Sequence, residues 1–63
     1  MTRLVQLIAE KGTNIRQLSR DSGISERTVY RHVRGETKPD IDQAAAYARA
    51  LGVTIEELRE VAA

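Results

Sequence analysis

The 63-residue sequence contains no cysteine and one histidine. Without cysteine there is neither a disulfide framework nor a thiolate metal site, and a lone imidazole does not make a zinc centre. No apolar run approaches the length of a membrane span, and no signal-peptide pattern opens the chain. These absences predict a cytoplasmic protein, either of the bacterial nucleoid or of an infected host cell. No period-two alternation persists long enough to predict a strand. Internal repeats, low-complexity tracts and long linkers are missing too. No serine or cysteine nucleophile comes with a plausible base, and no glycine-rich phosphate loop appears. The sequence therefore predicts no enzyme, no cofactor and no metal. Its length allows a single domain, 1–63, near the lower size limit for chains that fold without staples.

What remains is a series of short helical patterns separated by glycines and capping residues. Leu4, Leu7 and Ile8 are spaced for a helix from Thr2 to Lys11, ended by Gly12. Asn14, with Gln17 three residues on, has the capping-box pattern and opens a second helix, which runs to about Asp21 or Ser22 before Gly23. Ser25 is an N-cap residue and Gly35 a C′ glycine for a third helix. Pro39 disfavours helix just before it. Asp40 with Gln43 then opens an alanine-rich fourth helix ending at Leu51 and Gly52. Thr54 with Glu57 starts a last one, from Thr54 to Ala63. The predicted core comprises Leu4, Leu7, Leu18, Ile24, Val29, Ile41, Ala48, Leu51, Val53, Ile55 and Leu58, with Ile8 against Val33.

The net charge of +1 conceals an asymmetry. Residues 1–38 carry eight Lys/Arg against four Asp/Glu, a net of +4, and residues 39–63 carry two Arg against five Asp/Glu, a net of −3. Positive potential is thus concentrated on the half that contains the third helix. On a helical wheel Glu26, Arg27, Tyr30, Arg31 and Arg34 share one broad face of that helix, and Val29, His32 and Val33 take the opposite one. An apolar inner face and a basic outer face, introduced by a glycine-containing turn, suit a helix that enters a DNA major groove. The expectation is a helix-turn-helix over about residues 14–34.

Gly12, the Asn14–Leu18 helix start, Gly23-Ile24-Ser25, Thr28-Val29, Arg34-Gly35, Pro39 and Ala48-x-x-Leu51-Gly52-Val53-Thr54 together resemble the Cro and phage-repressor type of helix-turn-helix family. The resemblance implies an all-α, five-helix lambda-repressor-like domain that binds double-stranded DNA, most often as a repressor or other transcriptional regulator working as a two-fold dimer. By position it puts base contacts on Glu26, Arg27 and Arg31, with Thr28 and Tyr30 at the edge of that surface. Phosphate contacts fall on Asn14, Gln17, Arg34 and Lys38. Ser25, at a helix N-terminus, can combine capping with phosphate binding. The last helix, with Ile55, Leu58 and Val61, is the expected dimer contact. The sequence departs from the family at five positions. Ser19 stands where alanine is common and Ile15 where glutamine is common. Ile8 and Val33 replace an interhelical ion pair, and His32 takes a usually aliphatic position.

Each of these residues also has a plainer reading. Arginines on a helix can simply be solvated, Glu26 suits the positive end of a helix whatever it touches, and Tyr47 fills a core or interface. His32, on the inner side, reads as a packed and hydrogen-bonded imidazole rather than a catalytic group or ligand. Two other roles fit the same motif: the DNA-binding antitoxin of a toxin–antitoxin pair, or a recombination accessory protein. A third, of another class, is a protein-interaction module that has lost DNA binding and acts through the acidic second half.

Overall fold

Five helices follow one another in the computed structural model, which describes residues 2–58: α1 (Thr2–Glu10), α2 (Ile15–Ser22), α3 (Glu26–Arg34), α4 (Ile41–Leu51) and α5 (Ile55–Leu58). No strand occurs among the described residues. The helix starts are set by side-chain caps. Asn14 Oδ1 accepts from the Gln17 amide at 2.9 Å, Ser25 Oγ from the Thr28 amide at 3.3 Å, and Asp40 Oδ1 from the Gln43 amide at 2.8 Å. Each cap satisfies one of the amide donors that a helix start leaves without an intrahelical partner.

The capping box closes fully at Asp40, where Gln43 Oε1 accepts from the Asp40 amide at 3.0 Å. It does not close at Asn14. The Gln17 side chain turns forward instead, and its Nε2 donates to Asp21 Oδ1 at 2.9 Å. The side chain cannot both reach back to accept from the Asn14 amide and reach forward to donate to a carboxylate one turn ahead, and the charge-assisted bond to Asp21 is the stronger of the two. The stops of α2 and α3 need glycine on backbone grounds. Gly23 (φ 77°) and Gly35 (φ 80°) occupy the left-handed region, where a β-carbon is strained, and their amides return to carbonyls in the last turns of α2 and α3.

α3 packs on α1 and α2, while α4 packs on α2 and α5. Leu4, Leu7, Leu18, Val29, Tyr47, Ala48, Leu51 and Leu58 form the buried cluster, and Ile8, Ile15, Ile24, Val33, Ala50 and Val53 pack against it partly buried. Ile8 on α1 and Val33 on α3 thus both lie on the core. Apolar replacement of a buried ion pair is often neutral or stabilising, so the exchange is physically sound. The two ends of the domain are tied as well: Arg3 Nε donates to the Glu57 carbonyl at 2.7 Å.

Two expected core residues are not core. Ile41 is 82% exposed and Ile55 43% exposed. Each is the first residue of its helix. Side chains on a helix lean toward its N-terminus, so at the first position the side chain projects past the end and is covered only where another element reaches that far, as at Ile15. Along α4 the consequence is graded: Ile41 is exposed, Ala44 and Ala45 are half-buried, and Ala48 is buried. The stripe has the expected phase, but its beginning overhangs the core. Of the last helix, residues 59–63 lie outside the described residues, Val61 among them.

Candidate nucleic-acid interface

Ser25 begins the interface helix. Its hydroxyl accepts from the Thr28 amide and donates to Thr28 Oγ1 at 2.9 Å. The two residues form a closed local unit, and Thr28 is half-buried. The turn before them is held on both sides: the Ile24 amide donates to Ser22 Oγ at 3.2 Å, and the Ile24 carbonyl accepts from Ser19 Oγ. Ser19, which replaces a common alanine, therefore supplies a bond that alanine lacks.

From there α3 separates its faces as its periodicity predicts. Glu26, Arg27, Tyr30, Arg31 and Arg34 are exposed, with Tyr30 at 55%, whereas Val29 and His32 are buried and Val33 is half-buried. Arg27 and Arg31, four residues apart, stand one above the other. Among the described residues no carboxylate pairs with either one, so both guanidinium forks are open to a ligand. Arg34 differs: its Nε lies 3.6 Å from Glu36 Oε2, and both side chains are well exposed. Such a screened surface pair contributes at most about 1 kcal/mol, which a phosphate can outcompete. Lys38 is exposed in the loop between α3 and α4.

At the start of α2 both Asn14 and Gln17 are exposed. Asn14 uses its side-chain oxygen for the cap, which leaves its amide hydrogens as donors. Gln17 gives one hydrogen of its Nε2 to Asp21, which leaves the other as a donor. Of the expected dimer contacts, Ile55 is exposed, whereas Leu58 is buried in the chain's own core at 3% exposure.

The sequence matches the family described as the Cro/C1-type HTH DNA-binding domain over residues 3–63. The chain belongs to this family. Comparison with curated proteins and with solved structures finds no match. As a Cro/C1-type domain the protein is a DNA-binding module, and its helix-turn-helix consists of α2, the Gly23–Ser25 turn and α3. Among the described residues no three His, Cys, Asp or Glu side chains are grouped to hold a metal, and no helix is long and apolar enough to cross a membrane.

Beneath the exposed face of this Cro/C1-type helix lies a polar contact that only half appeared in the sequence. His32 Nδ1 and Tyr47 Oη are 2.7 Å apart, with the rings edge to face at 89° and their centroids 5.6 Å apart. Both residues are buried, His32 at 2% exposure and Tyr47 at 0%. Burial holds the imidazole below its ordinary value of 6.5, with Asp40 pulling the other way. Burial also pushes the Tyr47 phenol up to about 12. The pair is therefore neutral near pH 7. A buried, hydrogen-bonded imidazole is what the inner position of His32 predicts. Its partner was read only as filler, because nothing in the local pattern around Tyr47 signals a bond to α3.

Proposed function

We propose that this chain is a sequence-specific regulator of transcription, acting as a repressor, that places α3 in the major groove of a two-fold DNA operator. One observation supports the reading above the others. Arg27 and Arg31 stand exposed on one face of α3 with no carboxylate partner among the described residues, while the opposite face of the same helix is buried. Arginine bonds guanine O6 and N7 bidentately, which lysine cannot match. Arg27 and Arg31 are therefore the specifying contacts in this reading. Tyr30 offers an apolar surface to a thymine methyl, and Glu26 an acceptor for a cytosine amino group. Thr28 is turned inward by its bond to Ser25 and plays the smallest part. Asn14, Gln17, Ser25, Arg34 and Lys38 position the domain on phosphates, which carry no sequence code.

Two copies on a symmetric operator have their α3 helices about 34 Å apart, one turn of DNA. Among the described residues of the last helix, Ile55 is the exposed apolar residue available to that contact. Selection of bound sequences from a random DNA pool tests symmetry and specificity together: a single unrepeated half-site with one protein bound rules out the dimer. On the selected site Arg27→Ala or Arg31→Ala is expected to cost about 1–3 kcal/mol and to relax preference at one base pair. Lys38→Ala is expected to weaken selected and random duplexes alike and to lower the salt slope by about one. Equal losses on both duplexes for the arginine variants would remove them from the bases. Failure to bind DNA at any salt concentration would leave the protein-interaction reading instead.

A further inference from the structure

We infer that the His32–Tyr47 hydrogen bond sets the rotation of α3 about its own axis and so aims the arginines that read DNA. This rests on the reading of α3 as the base-contacting helix. The inner face of α3 is narrow. Val29 and Val33 meet the core through apolar contact, which resists separation but is non-directional and tolerates slippage. A hydrogen bond weakens steeply when bent, and the 2.7 Å contact of His32 Nδ1 with Tyr47 Oη is buried and flanked by an edge-to-face ring packing. It also joins α3 to α4, a helix that packs chiefly on α2 and α5.

The start of α3 has its own polar tether, since the Ile24 peptide is held by Ser19 and Ser22 of α2. α3 is thus fixed to α2 just before its first residue and to α4 near its end. Two directional anchors on two different helices define its orientation in a way that Val29 and Val33 do not. The lever is short and sensitive. A rotation of about 10° moves a side-chain tip roughly 6 Å from the helix axis by about 1 Å, beyond the ~0.5 Å within which a binding constellation must be held. His32 is a positioning residue in this account, and so is Tyr47; neither touches DNA.

The test compares the wild-type chain with Tyr47→Phe, His32→Leu, the double variant and Arg31→Ala. Each is titrated against a selected duplex and a random duplex, and each is unfolded in urea. The two single variants are expected to lower the selected-over-random affinity ratio about tenfold and to leave random binding within about twofold, because phosphate contacts tolerate a rotated helix. Both should also be less stable, because each removes one side of a buried hydrogen bond. The double variant removes both sides of that bond and should recover much of that stability, yet its ratio should stay about as low as that of either single variant. A ratio that returns together with the stability makes the bond merely structural and overturns the proposal. So does a ratio unchanged in the single variants while Arg31→Ala lowers it. If Arg31→Ala leaves the ratio untouched, the reading of α3 fails and the proposal fails with it. Should a single variant not fold, the double variant carries the same comparison.

Discussion

α3 and α4 begin at a side chain that caps the third helical amide and end at a left-handed glycine, yet α3 carries three arginines where α4 carries five alanines. The shared ends and the contrasting interiors separate two kinds of information. Cap and glycine chemistry sets where a helix lies along the chain, and says nothing of what the helix is for. The residues between decide that. α4 buries Tyr47, Ala48 and Leu51, and its small side chains let neighbouring helices approach. α3 buries Val29 and His32 and turns its long cationic side chains outward. Stability should therefore reside mainly in α4, and recognition in α3.

The sharpest way to break that contrast is Tyr47→Ala. Removing a fully buried aromatic side chain leaves a cavity and breaks the bond to His32, so a loss of about 3–5 kcal/mol is expected. That is comparable with everything a core of this size supplies, and circular dichroism should find the variant largely unfolded. Arg31→Ala, by contrast, should leave the urea midpoint nearly unchanged. Equal destabilisation by the two would erase the division between scaffold and reader.

pH tests the one point where the two helices meet through titrating groups. The folded-state pKa of His32 lies below 6.5, so the unfolded chain takes up the proton first as pH falls. Its contribution is complete above the unfolded value and is lost as pH drops through 6.5 toward the folded value. For Tyr47, raised from 10.0 to about 12, stability is complete below 10 and is lost as pH rises between the two values. Urea unfolding of wild type and His32→Leu across pH 5–8 should show a steeper acid decline in the wild type, because the carboxylates titrate alike in both. Parallel curves would mean that His32 is not held neutral.

The caps should give smaller and more even effects. Ser25→Ala and Asp40→Ala are each expected to cost about 1 kcal/mol, with Asp40 the costlier because its box is reciprocal. A thermal or urea midpoint for each resolves the order, and a larger loss at Ser25 would mean that its bond to Thr28 outweighs the box. Smallest of all should be Ile41→Gln, within about 0.5 kcal/mol of wild type. The residue sits on the core stripe of α4 and touches little, so a loss like that of a core residue would show the overhang to be covered.

Much of the fold was legible because it is governed locally. The starts at Asn14, Ser25 and Asp40 and the glycine stops follow from side-chain oxygens and positive φ angles, which need no distant partner. The two faces of α3 were legible for the same kind of reason, since periodicity alone separates Arg27 and Arg31 from Val29 and His32. Ile41 and Ile55 were misread as core because a wheel has no ends: it gives the phase of a residue, not whether a neighbouring helix reaches that far. Gln17 was misread as a box partner because its side chain can reach back to the Asn14 amide or forward to the Asp21 carboxylate, and spacing does not rank the two.

By itself, then, the sequence determined where caps and glycines punctuate the helices and which side of α3 is basic, for these depend on residues within a turn or two of each other, while motifs spread along residues 3–63 carried the family. Only the tertiary structure decided that Arg3 closes onto the carbonyl of Glu57 and that Tyr47 is the partner of His32. Their physical reason is common. A directional polar bond depends on the placement of its two atoms to a few tenths of an ångström, and across 15 or 54 residues of chain that placement is set by how whole helices pack.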